Sequence, residues 1–375
     1  MSAEPAATSE PLTAAGQQKK CWCGNDTLIP FGPSYLRCER CETLVACVSA
    51  GSEISVVKND EQDLYGRKYW FEHQEGDLGF PTIVERSRTD LPERCLFWLR
   101  ALLKYKLPPA RVLEIACAHG GFVALMRQAG FDAAGLELSP SIVEFARKTF
   151  DVPVLLGPIE SQDIPLASLD VIVMMDVLEH LPDPKSSLGR CRELLKPDGI
   201  LMIQTPSYRE GKSYEQMTAE NDYFLNHMRG KAEKEHLFLY SPKSVRELLK
   251  GAGFEHVQFE PAIFAAYDMF LVASAAPLNS LDVKAADAAL ASTASGRMTQ
   301  ALIDLDARAQ KDYGELLAER DKLRADLAAC DAELAQLREA VDAIRGSRAF
   351  GLLRRFGFWS EIEKRPAQAQ PDCSK

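Results

Sequence analysis

The stretch Val112-Leu113-Glu114-Ile115-Ala116-Cys117-Ala118-His119-Gly120-Gly121-Phe122 runs from a buried apolar segment, through a bend of very small residues, into a helical pattern. The apolar run carries an acid, Glu114, just before the bend. Side chains as small as those of Ala116, Ala118 and Gly120 let a ligand approach the backbone closely, and a helix N-terminus offers free N–H groups. About 22 residues further on, a second strand-like run ends Leu136-Glu137-Leu138, where a carboxylate is placed to accept hydrogen bonds from ribose hydroxyls.

The same alternation extends on both sides of the bend. Strand patterns cover Arg111–Ile115, Ala133–Glu137, Val152–Leu156, Leu169–Met174, Ile200–Gln204, Glu255–Phe259 and Phe264–Ala273. Helical patterns fill Gly121–Ala129, Pro140–Thr149, Lys185–Leu195 and Pro242–Gly251. Pro140 and Pro242 each follow a serine, a capping residue ahead of a proline suited to the first helical position. Gly130 and Gly199 stand where a helix terminates in the left-handed conformation. Strands alternating with helices predict an α/β fold. Its sheet has seven strands, mostly parallel, and the two adjacent helix-free strands at the end make an antiparallel edge hairpin.

Composition narrows the function classes. The chain has 375 residues, 46% hydrophobic and 26% charged, an ordinary globular balance with room for two or three domains. A formal net charge of −10 argues against a large phosphate-tracking surface, so no nucleic-acid partner is expected. Ten cysteines are too sparse for a disulfide framework and suit reduced thiols, some of them metal ligands. No apolar secretory segment is visible near the N-terminus, and the apolar stretch Pro261–Leu278 is broken by Asp268. A cytoplasmic location is the expectation.

Three more segments bear on chemistry. Leu169-Asp170-Val171-Ile172-Val173-Met174-Met175-Asp176-Val177-Leu178-Glu179-His180-Leu181-Pro182 is one. Leu194-Leu195-Lys196-Pro197-Asp198-Gly199, followed by Gln204-Thr205-Pro206-Ser207, is the second. His236-Leu237-Phe238-Leu239-Tyr240-Ser241-Pro242, leading to Ala252-Gly253-Phe254, is the third. With the bend, in this order and spacing from about Leu91 to Ala276, they resemble the class I (Rossmann-like) S-adenosylmethionine-dependent methyltransferases, in their ubiquinone-biosynthesis-like branch. The first motif of that family reads acidic-x-Gly-x-Gly-x-Gly. Here two of its glycines are Ala116 and Ala118, and only Gly120 remains. Alanine is tolerated where the backbone keeps a negative φ, and each added methyl narrows the pocket. The dinucleotide fingerprint Gly-x-Gly-x-x-Gly is absent, which disfavours a nicotinamide enzyme.

The resemblance implies roles. Glu114 would organise the loop near the methionine amino group, with Ala116, Cys117, Ala118 and Gly120 packed against the cofactor. Glu137 would hold the ribose and Leu138 lie beside the adenine, flanked by Ile159 and Glu160. Asp176 would stand at the carboxyl edge of the sheet, where such folds bind ligands. Methyl transfer from a sulfonium is an in-line displacement that needs alignment above all. A hydroxyl acceptor adds the need for a base, and His180 and His236 are the candidates. For each the plain alternative is a structural histidine bonded to backbone. His119 reads as a packing residue and Glu179 as a hydrogen-bonding support.

Outside the sheet region, Cys21-Trp22-Cys23 and Cys38-Glu39-Arg40-Cys41 pair four thiolates in the manner of a structural zinc site, the first pair one residue short. Some methyltransferases acting on sugars or surface glycans carry a similar amino-terminal ribbon. Asp63–Phe71 is an aromatic and basic cluster that reads either as a lid over the acceptor or as a plug on the sheet. From Asp306 and Ala309 through Tyr313, Leu316 and Arg320 to Val341 and Ile344 a seam recurs at alternating spacings of three and four, roughly six heptads that predict a homo-oligomeric coiled coil. The stretch that ends this helix, Arg345 to Trp359, is basic and aromatic, a patch suited to the inner face of a membrane or to a glycosyltransferase partner. The expected organisation is a tail (1–20), zinc ribbon (21–50), lid or linker (51–90), methyltransferase domain (91–276), linker (277–300), coiled coil (301–345) and basic aromatic tail (346–375). The expected activity is O-methylation of a saccharide or glycan intermediate. A small-molecule O-methyltransferase of quinone or natural-product type, and a catalytically silent scaffold, are the alternatives.

Overall fold

The structure is a computed structural model that describes residues 20–47, 57–63, 65–76, 79–228 and 235–356. The tail expected at 1–20, apart from Lys20, and the end of the aromatic patch beyond Phe356 lie outside the described residues. One compact unit extends to Asp306 and a second begins at Ala307.

In the first unit the strands are β1 Leu28–Phe31, β2 Tyr35–Cys38, β3 Leu44–Ala46, β4 Arg111–Ile115, β5 Asp132–Glu137, β6 Val154–Leu156, β7 Leu169–Met175, β8 Leu195–Pro206, β9 Phe238–Leu239, β10 His256–Glu260 and β11 Asp268–Ser274. The α-helices of this unit are α1 Gln74–Gly76, α2 Ile83–Asp90, α3 Leu96–Leu103, α4 Gly121–Gln128, α5 Pro140–Phe150, α6 Pro184–Leu194, α7 Tyr214–Ala219, α8 Pro242–Gly251 and α9 Val283–Ala291. Two more follow, α10 Ala294–Gly346 and α11 Arg348–Arg355.

The main sheet has the order β10-β11-β8-β7-β4-β5-β6. β6, β5, β4, β7 and β8 run parallel, and β11 pairs antiparallel with both β8 and β10. This is the seven-stranded, mostly parallel sheet with an antiparallel edge hairpin that the alternating pattern predicts. The strand order reverses between β4 and β7, and a crevice at the carboxyl ends of strands opens where it does. Both faces are covered. Val112, Phe122, Met126 and Trp98 pack in one apolar layer, and Leu113, Ile172, Leu188 and Leu248 in the other. β7 is apolar on both faces for that reason, Val171 to Met174 being wholly buried.

Local chemistry sets the helix starts. The Ser139 hydroxyl accepts from the Ile142 amide ahead of Pro140, and Ser241 with Ser244 forms a capping box ahead of Pro242. The stretch expected to be a linker at 277–300 is largely helical instead, carrying α9 and the first turns of α10. Likewise 51–90 contains α2, where Thr82 and Glu85 cap each other reciprocally. Sequence analysis passed over both because neither lies in the strand–helix alternation.

The cysteine-rich segment shares its sheet with the methyltransferase-like region. β1, β2 and β3 form a meander whose free edge takes β9 as a fourth strand, with Leu44 opposite Leu239 and Val45 opposite Phe238. Val45 is 5% exposed. Val45→Asp should place an unpaired carboxylate in that joint at a cost of about 3 kcal/mol. Hydrogen exchange followed by mass spectrometry should then show residues 20–47 losing protection while β4, β7 and β8 keep theirs. Uniform loss of protection across the chain would contradict the joint as drawn.

Candidate active site and metal centre

The bend after β4 is built with its larger side chains turned in and its methyls turned out. Cys117 and His119 are buried, Ala116 is exposed and Ala118 partly so. Gly135 of β5 has no room for a Cβ, which would meet the Cys117 sulfur at 2.3 Å. His119 is held from two sides: its Nε2 donates to Asp90 at 3.1 Å, and its Nδ1 accepts from the Gly121 amide at 3.0 Å. The first amide of α4 is therefore taken by a side chain of the bend. Ala116 and Ala118 lie at φ 55° and 47°, in the left-handed region, where negative φ is what an alanine prefers. That corrects the expectation drawn from the alanines. The bend keeps the glycine conformation and lacks the glycines.

Glu137, at the end of β5, turns toward this bend. Its Oε2 accepts from the Ala118 amide at 3.2 Å, and its Oε1 from the amides of Leu138 and Ser139 at 2.8 and 3.3 Å. Burial pushes its carboxyl above the usual range while these amides pull it back. Glu114 is more extreme. It is fully enclosed, burial raises its carboxyl well above the ordinary value, and its Oε2 has no hydrogen-bond partner among the described residues. Asp60, just before the aromatic cluster Asp63–Phe71, bonds the hydroxyls of Ser139 and Ser141, so that segment is pinned beside Glu137. Leu138 is half-buried, Ile159 belongs to the apolar layer, and Glu160 accepts from Ser187 of α6. The bend, Glu137 and Leu138 are thus brought together, whereas Glu160 is engaged with α6.

A second cluster lies at the ends of β7 and β8. Asp176, at φ 58°, accepts from the Gln204 side chain at 3.1 Å and pairs with Arg94 at 3.6 Å. Gln204 in turn accepts from the Trp98 indole at 3.0 Å. Arg94 also stands 5.0 Å from the centre of the Phe264 ring, which stacks on Tyr267. Asp268, the first residue of β11, is pushed up to about 8, by burial first and by the charge of Asp176 second. Sequence analysis used Asp268 only to break an apolar stretch; an acid inside such a run is itself the signal that was available.

The histidines close the site. Nδ1 of His180 donates to the Glu235 carbonyl at 2.9 Å and lies 3.1 Å from the Tyr65 hydroxyl. Nδ1 of His236 donates to the His227 carbonyl at 3.0 Å. In both rings the second nitrogen, Nε2, is left with its lone pair. Burial holds the pKa of each below the ordinary histidine value, so both are neutral near pH 7. The His180 Nε2 is 3.8 Å from Glu179 Oε1, and the other Glu179 oxygen accepts from Thr205 at 2.8 Å. Ligand atoms of Glu179, His180 and His236 all lie within 4.8 Å of one another. Two imidazoles with their distal nitrogens tied to carbonyls, beside a carboxylate, can share a proton or hold a divalent cation. Around them Glu235 accepts from His73 at 2.6 Å and faces Tyr69. His227, Glu235 and His73 escaped sequence analysis, because no periodic pattern surrounds them.

The four ribbon cysteines converge. Cys21 and Cys41 sulfurs are 3.4 Å apart, Cys23 and Cys38 sulfurs 3.6 Å apart. Four sulfurs bonded to one zinc at 2.3 Å would lie about 3.8 Å from each other. The short first pair works because Gly24, at φ 82°, folds Cys21–Asn25 into a tight turn, with the Gly24 amide donating to the Cys21 carbonyl at 2.8 Å. The cluster is compatible with structural zinc.

A family model described as a methyltransferase domain matches residues 87–258. A ubiquinone biosynthesis O-methyltransferase of Bordetella avium is 30% identical over 167 residues, which cover 43% of this chain and 68% of that relative. The chain belongs to the class I S-adenosylmethionine-dependent methyltransferases. A relative of the same description from Xanthomonas campestris is 33% identical over 106 residues, 26% of this chain and 44% of its own length. The chain therefore spans about half the length of some of the curated relatives it matches. A solved S-adenosylmethionine-dependent methyltransferase of Thermotoga maritima aligns with 22% identity and a TM-score of 0.38, over 52% of this chain and 96% of that one.

For a methyltransferase the fold implies S-adenosylmethionine, and the bend fits it. The unpartnered Glu114 oxygen needs a donor such as an ammonium group, and Glu137 is an acceptor at the edge of the bend. Two measurements check the electrostatics and the metal. Asp268 binds a proton in the folded chain up to about pH 8 but releases it near 4 when unfolded. The folded state thus holds more protons between those values, and this group's contribution to stability falls as pH rises through that window. Asp268→Asn should therefore raise the urea midpoint more at pH 8 than at pH 5; an equal change at both would remove Asp268 as a buried acid. Cys38→Ser should cut bound zinc from about one equivalent per chain to well under half, by metal analysis. Unchanged zinc would contradict a four-thiolate site.

Proposed function

We propose that the chain is an S-adenosylmethionine-dependent O-methyltransferase acting on a hydroxyl of a ring-shaped acceptor, a saccharide or surface-glycan intermediate. One arrangement carries this reading: His180 and His236 each have Nδ1 spent on a backbone carbonyl and Nε2 free, beside the buried Glu179. The bound cofactor supplies a sulfonium methyl to an in-line displacement. The chain's own part is alignment and proton removal. Ala116, Cys117, Ala118 and Gly120, with Glu114, Glu137 and Leu138, would seat the cofactor, and Ile159, Glu160 and Asp176 would line it further out. His180 takes the proton of the acceptor hydroxyl, with Glu179 beside the imidazolium that results. Tyr65 closes over His180 from the lid segment.

The acceptor class has weaker but separate supports. The stacked Phe264–Tyr267 pair beside Arg94 offers a flat apolar face that suits a sugar ring, and equally a quinol ring of the kind implied by the names of the curated relatives. The zinc ribbon favours the saccharide. We also read the α10 seam as an oligomerisation element. The basic face of α11, capped by Ser347, is a contact for an anionic membrane surface or a glycosyltransferase, although no helix among the described residues is long and apolar enough to cross a membrane.

A second reading of the same residues makes Glu179, His180 and His236 ligands of a divalent cation that acidifies the acceptor hydroxyl. One set of assays separates these. Calorimetric titration should show S-adenosylmethionine binding, and His180→Ala should lower turnover by about 100-fold or more with cofactor affinity kept. Turnover that resists chelators and falls in His180→Ala supports the base. Turnover lost to a chelator and restored by added magnesium or manganese supports the cation. No heat up to about millimolar cofactor would overturn the enzymatic reading in favour of a scaffold.

A further inference from the structure

We infer that the α10 seam pairs with the same seam of a second copy of this chain, parallel and in register, a conclusion that rests on the oligomerisation proposed above. Between Tyr313 and Ile344 the seam alternates two layers. One holds Tyr313, Arg320, Leu327, Leu334 and Val341; the other holds Leu316, Leu323, Cys330, Leu337 and Ile344. Within the second unit this face is open: Leu316 and Leu327 are each 63% exposed and Cys330 is exposed. A repeat of seven rather than 3.6-fold periodicity is the pattern of a supercoiled partner helix, not of a helix laid on a globular surface.

Charges flanking the seam select the partner and its direction. The positions just before the first layer are Asp312, Glu319, Asp326, Glu333 and Ala340, an edge acidic at its first four positions. The positions just after the second layer include Arg324, Asp331, Arg338 and Arg345. In a parallel pair each residue of the first edge faces the residue five further along on the second copy. Glu319 then meets Arg324 of the second copy and Glu333 meets Arg338, with one opposed pair, Asp326 against Asp331. In an antiparallel pair the acidic edge faces itself, so the contacts among its acids are repulsive. Arg320 is the charged residue of the first layer in this span. Slipping by one heptad would set its guanidinium against Leu327 and shorten the paired seam by seven residues, so the in-register pairing is favoured over the slip. Cys330 then faces Cys330 of the second copy, within the Cα separation of about 4.4–6.8 Å that a disulfide spans.

The test uses the full chain with Cys373→Ser, so that Cys330 is the exposed thiol of the rod. Light scattering should give twice the 41.6 kDa chain mass. Diamide, which takes two electrons and two protons from the two thiols as their S–S bond forms, should yield a covalent dimer that Cys330→Ser abolishes. Reversing both acids (Glu319→Arg, Glu333→Arg) should weaken the dimer at least tenfold, and adding Arg324→Glu and Arg338→Glu should restore it. A dimer that never cross-links through Cys330, or that charge reversal leaves unchanged, overturns the parallel in-register pairing while the oligomer reading survives. A mass of three or four chains overturns the two-copy arrangement, and a monomer overturns both.

Discussion

A residue other than glycine held at positive φ costs roughly 1–3 kcal/mol, and the carboxyl edge of this sheet holds Ala116, Ala118 and Asp176 in that state. The strain is localised where the strand order reverses. It persists because the surroundings leave the bend no other path. Cys117 is locked into the notch at Gly135, His119 is fixed between Asp90 and the Gly121 amide, and the Ala118 amide is captured by Glu137. Together the locks reach three elements: His119 ties the bend to α2 and α4, and Cys117 and Ala118 tie it to β5. Moving Ala118 out of this conformation would disturb its own amide's bond to Glu137 and pull His119 from its partners. The conformation of the bend is thus held by interactions on the buried side of the loop. Only the two methyls face outward.

Electrostatics at the other end of the crevice follow the same economy. Asp176, Glu179 and Asp268 approach one another with Arg94 as their nearest cation, and burial adds to their mutual repulsion. Burial first, and the charge of Asp176 second, raise the carboxyls of Glu179 and Asp268. Asp176 keeps both the Arg94 ion pair and the Gln204 amide, which leaves Glu179 and Asp268 as the groups driven toward the protonated form. A neutral Glu179 beside a neutral His180 is a pair poised to exchange one proton. It is also a pair whose charge a bound cation would restore. The two readings of the site therefore differ in what fills the same electrostatic vacancy.

Much of this architecture is legible in the sequence because it is local. Strand and helix periods, serine caps and prolines at first helical positions give the order of elements from β4 to β8, and β4 and α8 coincide with the expected spans, whereas α7 and β9 lie outside them. β6 and β11 are shorter than expected, since Val152 packs in the apolar layer, and Phe264 stacks on Tyr267, from loops as well as they would from a strand. What the sequence hides is long-range. Asp60 meets Ser139, Tyr65 meets His180, and His73 meets Glu235 across separations that no local pattern encodes. The alanine φ values were hidden for another reason. Side-chain type normally reports backbone conformation, and here tertiary locks override it.

The two-residue strand β9 ties these parts together. Leu237 lies between the metal ribbon and the acceptor site: its carbonyl accepts from the Ala46 amide at 3.1 Å, and its amide donates to the Glu179 carbonyl at 2.8 Å. The Tyr35 hydroxyl of the ribbon donates to the carbonyl of His236 at 3.1 Å. So the backbone that carries one candidate histidine, and the carbonyl of the acid beside the other, are both braced by the ribbon meander. A meander of three short strands has too little core to hold itself rigid. Four converging thiolates are compatible with one structural zinc, which would supply that rigidity from outside the hydrophobic core. On this arrangement the ribbon braces the backbone at His236 and Glu179, so whatever stiffens the four-cysteine cluster also stiffens the segment that carries both residues.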